Sequence, residues 1–182
     1  AMEMSGMRVG EVTAIEKTDF DFEKEEFYIY KSRRQAGELA PTKKGRKRKV
    51  IFHSAFQELY WEIIYWQEEN KRKFGDAYQE NNLLICNEDG TPIKYSALKS
   101  YMQRLDKRIG IKIRPHQMRH TFISNLIVKE NMNVKDVQLL VGHAKAQTTL
   151  NTYTKLFGGK FETSTREKLE SIYANKYKKE GL

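Results

Sequence analysis

In the stretch PHQMRHTFISNL, residues 115–126, His116, Arg119 and His120 fall just after a proline. Histidine exchanges a proton near neutral pH, so it serves as a general acid or base. Arginine presents a planar fork that grips two phosphate oxygens at once. On a helix, His116 and Arg119 stand at i and i+3 and project from one side. His120 is rotated further round and faces elsewhere. A helix N-terminus also favours bound anions. A metal site fits poorly, because the spacing lacks the His-x-x-x-His turn, no glutamate accompanies it, and a cation separates the histidines. A phosphate grip and an ordinary helix start with capped polar side chains both fit the pattern taken alone.

Two further groups carry chemistry. In VGHAKAQTTLNTYTKL, His143 follows a glycine suited to ending a helix, and Tyr153 comes ten positions later. A phenolic hydroxyl is a nucleophile once its proton is taken, although a lone tyrosine is ordinarily a packing or surface residue. Near the start, SGMRVGE places Arg8 three residues before Glu11. That spacing gives either a plain salt bridge or a carboxylate that orients the arginine.

The charge is unevenly placed. The chain carries a formal +9, and the segment 31–49 alone holds nine Lys or Arg against Glu38. Such a local patch suits a polyanion, nucleic acid first, or else forms a solvated basic loop. With 182 residues, 39% hydrophobic and 31% charged, one soluble globular domain is expected. No apolar run approaches the roughly 20 residues that span a bilayer. Cys86 is the single cysteine, which excludes an internal disulfide framework and fits a reducing cytosol.

The elements that must hold these residues follow from periodicity and punctuation. Residues 5–15 are expected to form a short helix capped by Ser5, with Met7, Val12 and Ile15 on the core. A strand is expected over 26–31 and a hairpin over 36–53, with Gly45 at its tip and 48–53 returning. The segment 54–74 has the strongest helical repeat, with Phe56, Leu59, Tyr60, Ile63, Ile64 and Trp66 as its stripe and Ser54 with Gln57 as a capping box. A short buried strand and a turn are expected over 83–93. Helices are expected over 95–110 ending at Gly110, from Pro115 with Met118, Phe122 and Leu126 inward, over 133–143 between Asn133 and Gly142, and over 147–156. A final basic helix is expected over 162–182. The fold class is mainly α with a small antiparallel β-sheet.

Taken in order, Arg8, the basic hairpin, His-x-x-Arg-His, Gly-His and a tyrosine resemble the catalytic domain of the tyrosine site-specific recombinases, the phage-type integrases. The resemblance runs from GMRVGE to TTLNTYTKL, and its spacing is similar to integrases of Gram-positive phages and conjugative transposons. It implies catalytic roles for Arg8, Lys43, His116, Arg119, His143 and Tyr153, with Glu11 and His120 in support. Lys43, seven residues before Val50, matches the hairpin lysine, and Lys44 competes with it because hairpin length varies. Lys44, Arg46, Lys47 and Arg48 are then expected on DNA phosphates.

The activity so implied is cleavage and rejoining of DNA through a 3′-phosphotyrosine, without metal, ATP or any other cofactor, in the integration and excision of a mobile element. Two alternatives stay open on the sequence: a type IB topoisomerase-like strand transferase, and a non-catalytic DNA-binding protein on the same fold. The implied partners are double-stranded DNA at an attachment or crossover site, further copies in a synaptic tetramer, and accessory DNA-bending or excision factors. The implied location is the bacterial cytoplasm, at the nucleoid. Residues 1–182 are expected to be the catalytic domain of a longer protein whose upstream core-binding domain is absent, with 160–182 a C-terminal helix or tail that packs on its own domain or on a neighbour's.

Overall fold

The computed structural model describes residues 1–42 and 47–157, with backbone alone at 152, 153 and 155–157. Lys43, Lys44, Gly45, Arg46 and the helix expected over 162–182 therefore lie outside the described residues.

The expected helix over 5–15 is two short helices, α1 (Met2–Ser5) and α2 (Val9–Val12). Gly6 separates them at φ 61°, a left-handed conformation that ends α1. Ser5 is buried; its hydroxyl donates to the Ala1 carbonyl at 2.7 Å and accepts from the Met7 amide at 3.4 Å, and it is the N-cap of neither helix. Arg8 takes the N-cap position of α2 instead. Met7, Val12 and Ile15 are buried, as their spacing predicts.

Five strands follow: β1 (Phe20–Asp21), β2 (Glu26–Ile29), β3 (Lys31–Arg33), β4 (Leu39–Pro41) and β5 (Arg48–Ile51). The strand expected over 26–31 is thus interrupted at Tyr30, and its halves serve different sheets. One antiparallel sheet has the order β1-β2-β5, and β3 pairs with β4 in a second. The hairpin expected over 36–53 is therefore not formed as such: β4 folds back on β3 across a turn at 34–37, and the returning strand β5 pairs with β2 rather than with β4. In the first, Phe27 faces Val50 and Ile29 faces Arg48. Side chains alternate across a strand. Val50 is buried on the inner face, so Arg48 shares that face with it, while Lys49 lies outside and bonds Glu26 at 2.7 Å.

The inner face of this sheet meets the long helix α3 (Ser54–Phe74) through stacked aromatic rings. Phe20 and Phe27 lie 5.0 Å apart, and Phe27 and Phe56 lie 5.4 Å apart and nearly parallel. The expected Ser54–Gln57 capping box does not form; His53 is the N-cap and makes no side-chain cap bond. Of the predicted stripe, Phe56 and Tyr60 are buried, whereas Trp66 is exposed. Gln67 is buried in its place, donating to the carbonyls of Leu83 and Leu84 at 3.1 and 2.7 Å. Leu83, Leu84 and Cys86 are buried as expected, yet their segment makes isolated bridges rather than a strand.

Four helices complete the described fold. These are α4 (Tyr95–Ile109), closed by left-handed Gly110; α5 (Pro115–Ser124), continuing as a π-turn over Asn125–Lys129; α6 (Val134–Val141); and α7 (Ala146–Phe157). Asn133 caps α6 by accepting from the Lys135 amide at 2.8 Å, and Gly142 closes it at φ 66°. On α5 the buried residues are Arg119 and Ile123, followed by Ile127 in the π-turn. The inward stripe is thus one position on from Met118, Phe122 and Leu126, which are only half-buried around it. A second core forms where Ile123 and Ile127 meet Val137 and Val141 of α6. Helix α1 packs on α5, and both α5 and α6 pack on α7. The architecture is mainly helical with a small antiparallel sheet. Among the described residues no helix is long and apolar enough to cross a membrane.

Candidate active site

Arg8 stands at the turn between α1 and α2, with its side chain 43% exposed. Its direction is set by Glu11, which is buried beneath it. The Glu11 carboxylate accepts from the Arg8 amide at 2.8 Å and from the Arg8 guanidinium at 3.0 Å. It also accepts two bonds from Arg48, at 2.8 and 2.7 Å. Burial works to raise the Glu11 pKa, but the hydrogen bonds and charge of Arg48 and Arg8 outweigh it and hold the group below the ordinary carboxylate range.

Arg119 projects from the first turns of α5 into the interior. Its guanidinium donates to the carbonyl of Gly6 and, at 2.6 Å, to that of Val141. One side chain therefore joins the turn before Arg8 to the end of α6. Burial, then the nearby charge of Arg8, push its pKa down to about 9, so it stays cationic at neutral pH.

His143 follows Gly142 in the loop from α6 to α7. Gln138 holds its backbone, receiving the His143 amide at 3.1 Å and donating to the His143 carbonyl at 3.0 Å. The imidazole Nδ1 lies 2.9 Å from the hydroxyl of Thr149, which is fully buried on α7. Burial, followed by the charges of Arg119 and Arg8, lowers the His143 pKa to about 4. At neutral pH this ring is an uncharged hydrogen-bonding group. Tyr153 lies on α7 one helical turn after Thr149; its side chain is outside the described residues.

Two cavities meet at Arg8. One, of about 560 Å³, is lined by Arg8, His116 and Arg119 together with Arg33, Arg34 and Arg114. The other, of about 430 Å³, is lined by Arg8, Lys47, Arg48, Gly142 and His143. His116, at the second position of α5, is exposed at the first cavity, and the His120 ring lies 6.3 Å from it, centre to centre. Most of the expected set is therefore gathered around one arginine. A site with this many guanidinium groups and one buried carboxylate favours an anion with several oxygens.

Two hairpin residues are placed differently from each other. Lys47 is exposed, its ammonium 4.1 Å over the Tyr28 ring, beside the second cavity. Arg48, expected on DNA phosphate, is turned inward by strand alternation and spends its fork on Glu11. Alternation relative to Val50 would have signalled this. Thr149 and Gln138, which hold His143, carried no comparable signal, since neither stands out in type or spacing. Among the described residues no three His, Cys, Asp or Glu side chains come together as a metal-binding group.

Comparison with known proteins places the chain in a family. The profile of the phage integrase family matches residues 2–158. Transposase A from transposon Tn554 of Staphylococcus aureus is 28% identical over 154 residues, which is 83% of this chain and 40% of that protein. The integrase of Staphylococcus phage L54a is 27% identical over 180 residues, 93% of this chain and 49% of that one. The chain thus spans less than half the length of these relatives. Among solved structures, the Tn1549 transposon integrase in complex with a circular intermediate DNA superposes with a TM-score of 0.73 at 21% identity, covering 93% of this chain and 56% of that one. The XerA recombinase superposes with a TM-score of 0.62 at 20% identity, over 94% and 55%. At these identities the likeness is one of fold, that of the tyrosine recombinase catalytic domain.

Proposed function

Because the chain belongs to the phage integrase family, we propose that it is the catalytic part of a site-specific recombinase that cuts and rejoins duplex DNA through a phosphotyrosine. The observation that carries this reading is the position of Arg8, which borders one cavity with His116 and Arg119 and another with His143. A phosphate held at Arg8 would then have cationic and hydrogen-bonding groups on more than one side.

In the proposed reaction the Tyr153 oxygen attacks the scissile phosphorus. A bond forms between that oxygen and phosphorus, and the bond to the 5′-oxygen breaks. The tyrosine loses one proton and the 5′-oxygen gains one. The strand is left with a 3′-phosphotyrosine and a free 5′-hydroxyl, and attack by another 5′-hydroxyl reverses the exchange. Phosphodiester energy is kept in the protein–DNA bond, so no nucleotide is consumed. Arg8 and Arg119 clamp the non-bridging oxygens, where negative charge builds up at the transition state. Neutral His143 adds a hydrogen bond, and His116 handles the tyrosine proton. Lys43, with Lys44 as the competing position, protonates the leaving oxygen. Lys47 contacts the backbone of the duplex, adding affinity and salt dependence without sequence choice.

The wider assignments belong to the same reading: a crossover site in double-stranded DNA, synaptic assembly of several copies, and a role in moving a genetic element. The names of the Tn554 transposase and the phage L54a integrase support the last of these. The test is covalent trapping on a nicked suicide duplex. Wild-type chain should form an adduct stable to denaturant, and Tyr153→Phe should bind the duplex without forming it. Plasmid relaxation with no preferred site would instead favour a topoisomerase activity.

A further inference from the structure

Each oxygen of the Glu11 carboxylate receives one hydrogen bond from Arg8 and one from Arg48. Oε1 takes the two Nη1 groups, at 3.0 and 2.8 Å. Oε2 takes the Arg8 amide at 2.8 Å and Arg48 Nη2 at 2.7 Å. The carboxylate is saturated, and Arg48 supplies half of its bonds while itself nearly buried. The opposite side of the Arg48 side chain lies against Gly142. A β-carbon on that glycine would sit 2.6 Å from Arg48 Cδ and 3.1 Å from Nε. Arg48 Nε is buried and has no hydrogen-bond partner among the described residues. The side chain is therefore held by its fork on one side and wedged by backbone on the other.

We infer that Arg48 is a positioning residue of the strand-transfer site, setting the aim of Arg8 through Glu11 and the height of the Gly142–His143 loop through direct contact. The inference rests on the proposed recombinase reading for its functional consequence. Its physical content is that one guanidinium spaces the two walls of the cavity that Arg8 and His143 share. Lysine would keep the charge but not the fork, because an ammonium cannot present two parallel donors to both oxygens. Position 48 also opens β5, opposite Ile29 of β2, so the same contact fixes where that strand pairing begins.

The test compares Arg48→Lys, Glu11→Gln and the double variant in single-turnover cleavage of the suicide duplex at saturating DNA. Arg48→Lys should slow cleavage by about 10- to 100-fold, the range for groups that orient a primary ligand, with DNA affinity changed less than about threefold. The double variant should be no slower than the slower single variant, since both break one chain of contacts. Multiplying effects, or an affinity loss as large as the rate loss, would overturn the inference in favour of a direct phosphate contact. A readout independent of activity is the Glu11 carboxyl titration followed by carbon NMR. The charges facing that carboxylate are Arg8, Arg48 and, through space, Arg119. Its pKa should move up in Arg48→Lys, and an unmoved pKa would contradict the inference. If the full-length protein forms no adduct on its own site, the recombinase reading fails, while the titration still decides the role of Arg48.

Discussion

The guanidinium of Arg119 donates to the carbonyl of Gly6, two residues before Arg8, although the partners are 113 positions apart in the chain. With its second bond to Val141, it makes one side chain both a wall of the site and a brace between α5, the α1–α2 turn and α6. Arg119→Lys should therefore lower stability by about 2 kcal/mol, as expected when charged hydrogen bonds to buried carbonyls are lost. It should also slow cleavage by about 10²- to 10³-fold. Chemical denaturation and single-turnover cleavage read the two effects. Unchanged stability would show that the braces at Gly6 and Val141 do not hold the fold.

Gly142 meets two demands at once, a φ of 66° and the close approach of Arg48. Alanine there should cost about 1–3 kcal/mol from the left-handed backbone alone. Because Arg48 is clamped by Glu11, the added carbon moves the His143 loop rather than the arginine. The expected result is a lowered melting temperature and slower cleavage. Cleavage at the wild-type rate at a temperature where the variant is fully folded would dissociate the loop from the chemistry.

The pH dependence of stability has a definite sign. His143 is held near pKa 4 in the folded chain, against an ordinary value of 6.5. Between those values the unfolded chain binds the extra proton and the folded chain does not, so stability falls as pH drops from about 6.5 towards 4. Glu11 acts lower: its contribution is full above the ordinary carboxylate range and is lost as pH falls through its depressed value. Urea unfolding of wild type and His143→Gln over this range separates the two. The variant should lose part of the slope between pH 6.5 and 4, and identical slopes would place the neutral imidazole elsewhere.

Much of this was readable in the chain. Gly110, Asn133 and Gly142 end or begin helices where their types demand it, because caps are local chemistry. Phe56 and Tyr60 are inward as the helical period predicts, although Trp66 of the same stripe is exposed. Other features depend on what passes opposite. Gln67 is buried because the carbonyls of Leu83 and Leu84 need donors, and nothing near Gln67 in sequence announces them. The break at Gly6 reflects the requirement that its carbonyl meet Arg119, a long-range contact. Arg48 lay within a run of seven Lys, Arg and Gly residues that charge alone marks as surface. Its pairing opposite Ile29 turns it inward. Arg8, Glu11, His116, Arg119 and His143, named by order and type, lie near one another, while Arg33, Arg34 and Arg114 beside them and the supports Gln138 and Thr149 emerged only from the fold.

The identity of the hairpin lysine is open to a chemical test. Replacing the bridging 5′-oxygen of the scissile phosphate with sulfur gives a leaving group that departs without a proton. The rate lost in Lys43→Ala should then be largely restored on the sulfur substrate, while Lys44→Ala should lose less on the oxygen substrate and gain little from sulfur. The reverse pattern would assign the role to Lys44, and no rescue in either would remove both from proton transfer.

The most direct test of the central claim is the chemistry of the trapped adduct itself. Wild-type chain is reacted with the suicide duplex, the DNA is digested, and the modified peptide is sequenced by mass spectrometry. The account predicts a nucleotide joined through its 3′-phosphate to Tyr153. A bond to another residue, a 5′-phosphate linkage, or an adduct that persists in Tyr153→Phe would contradict it.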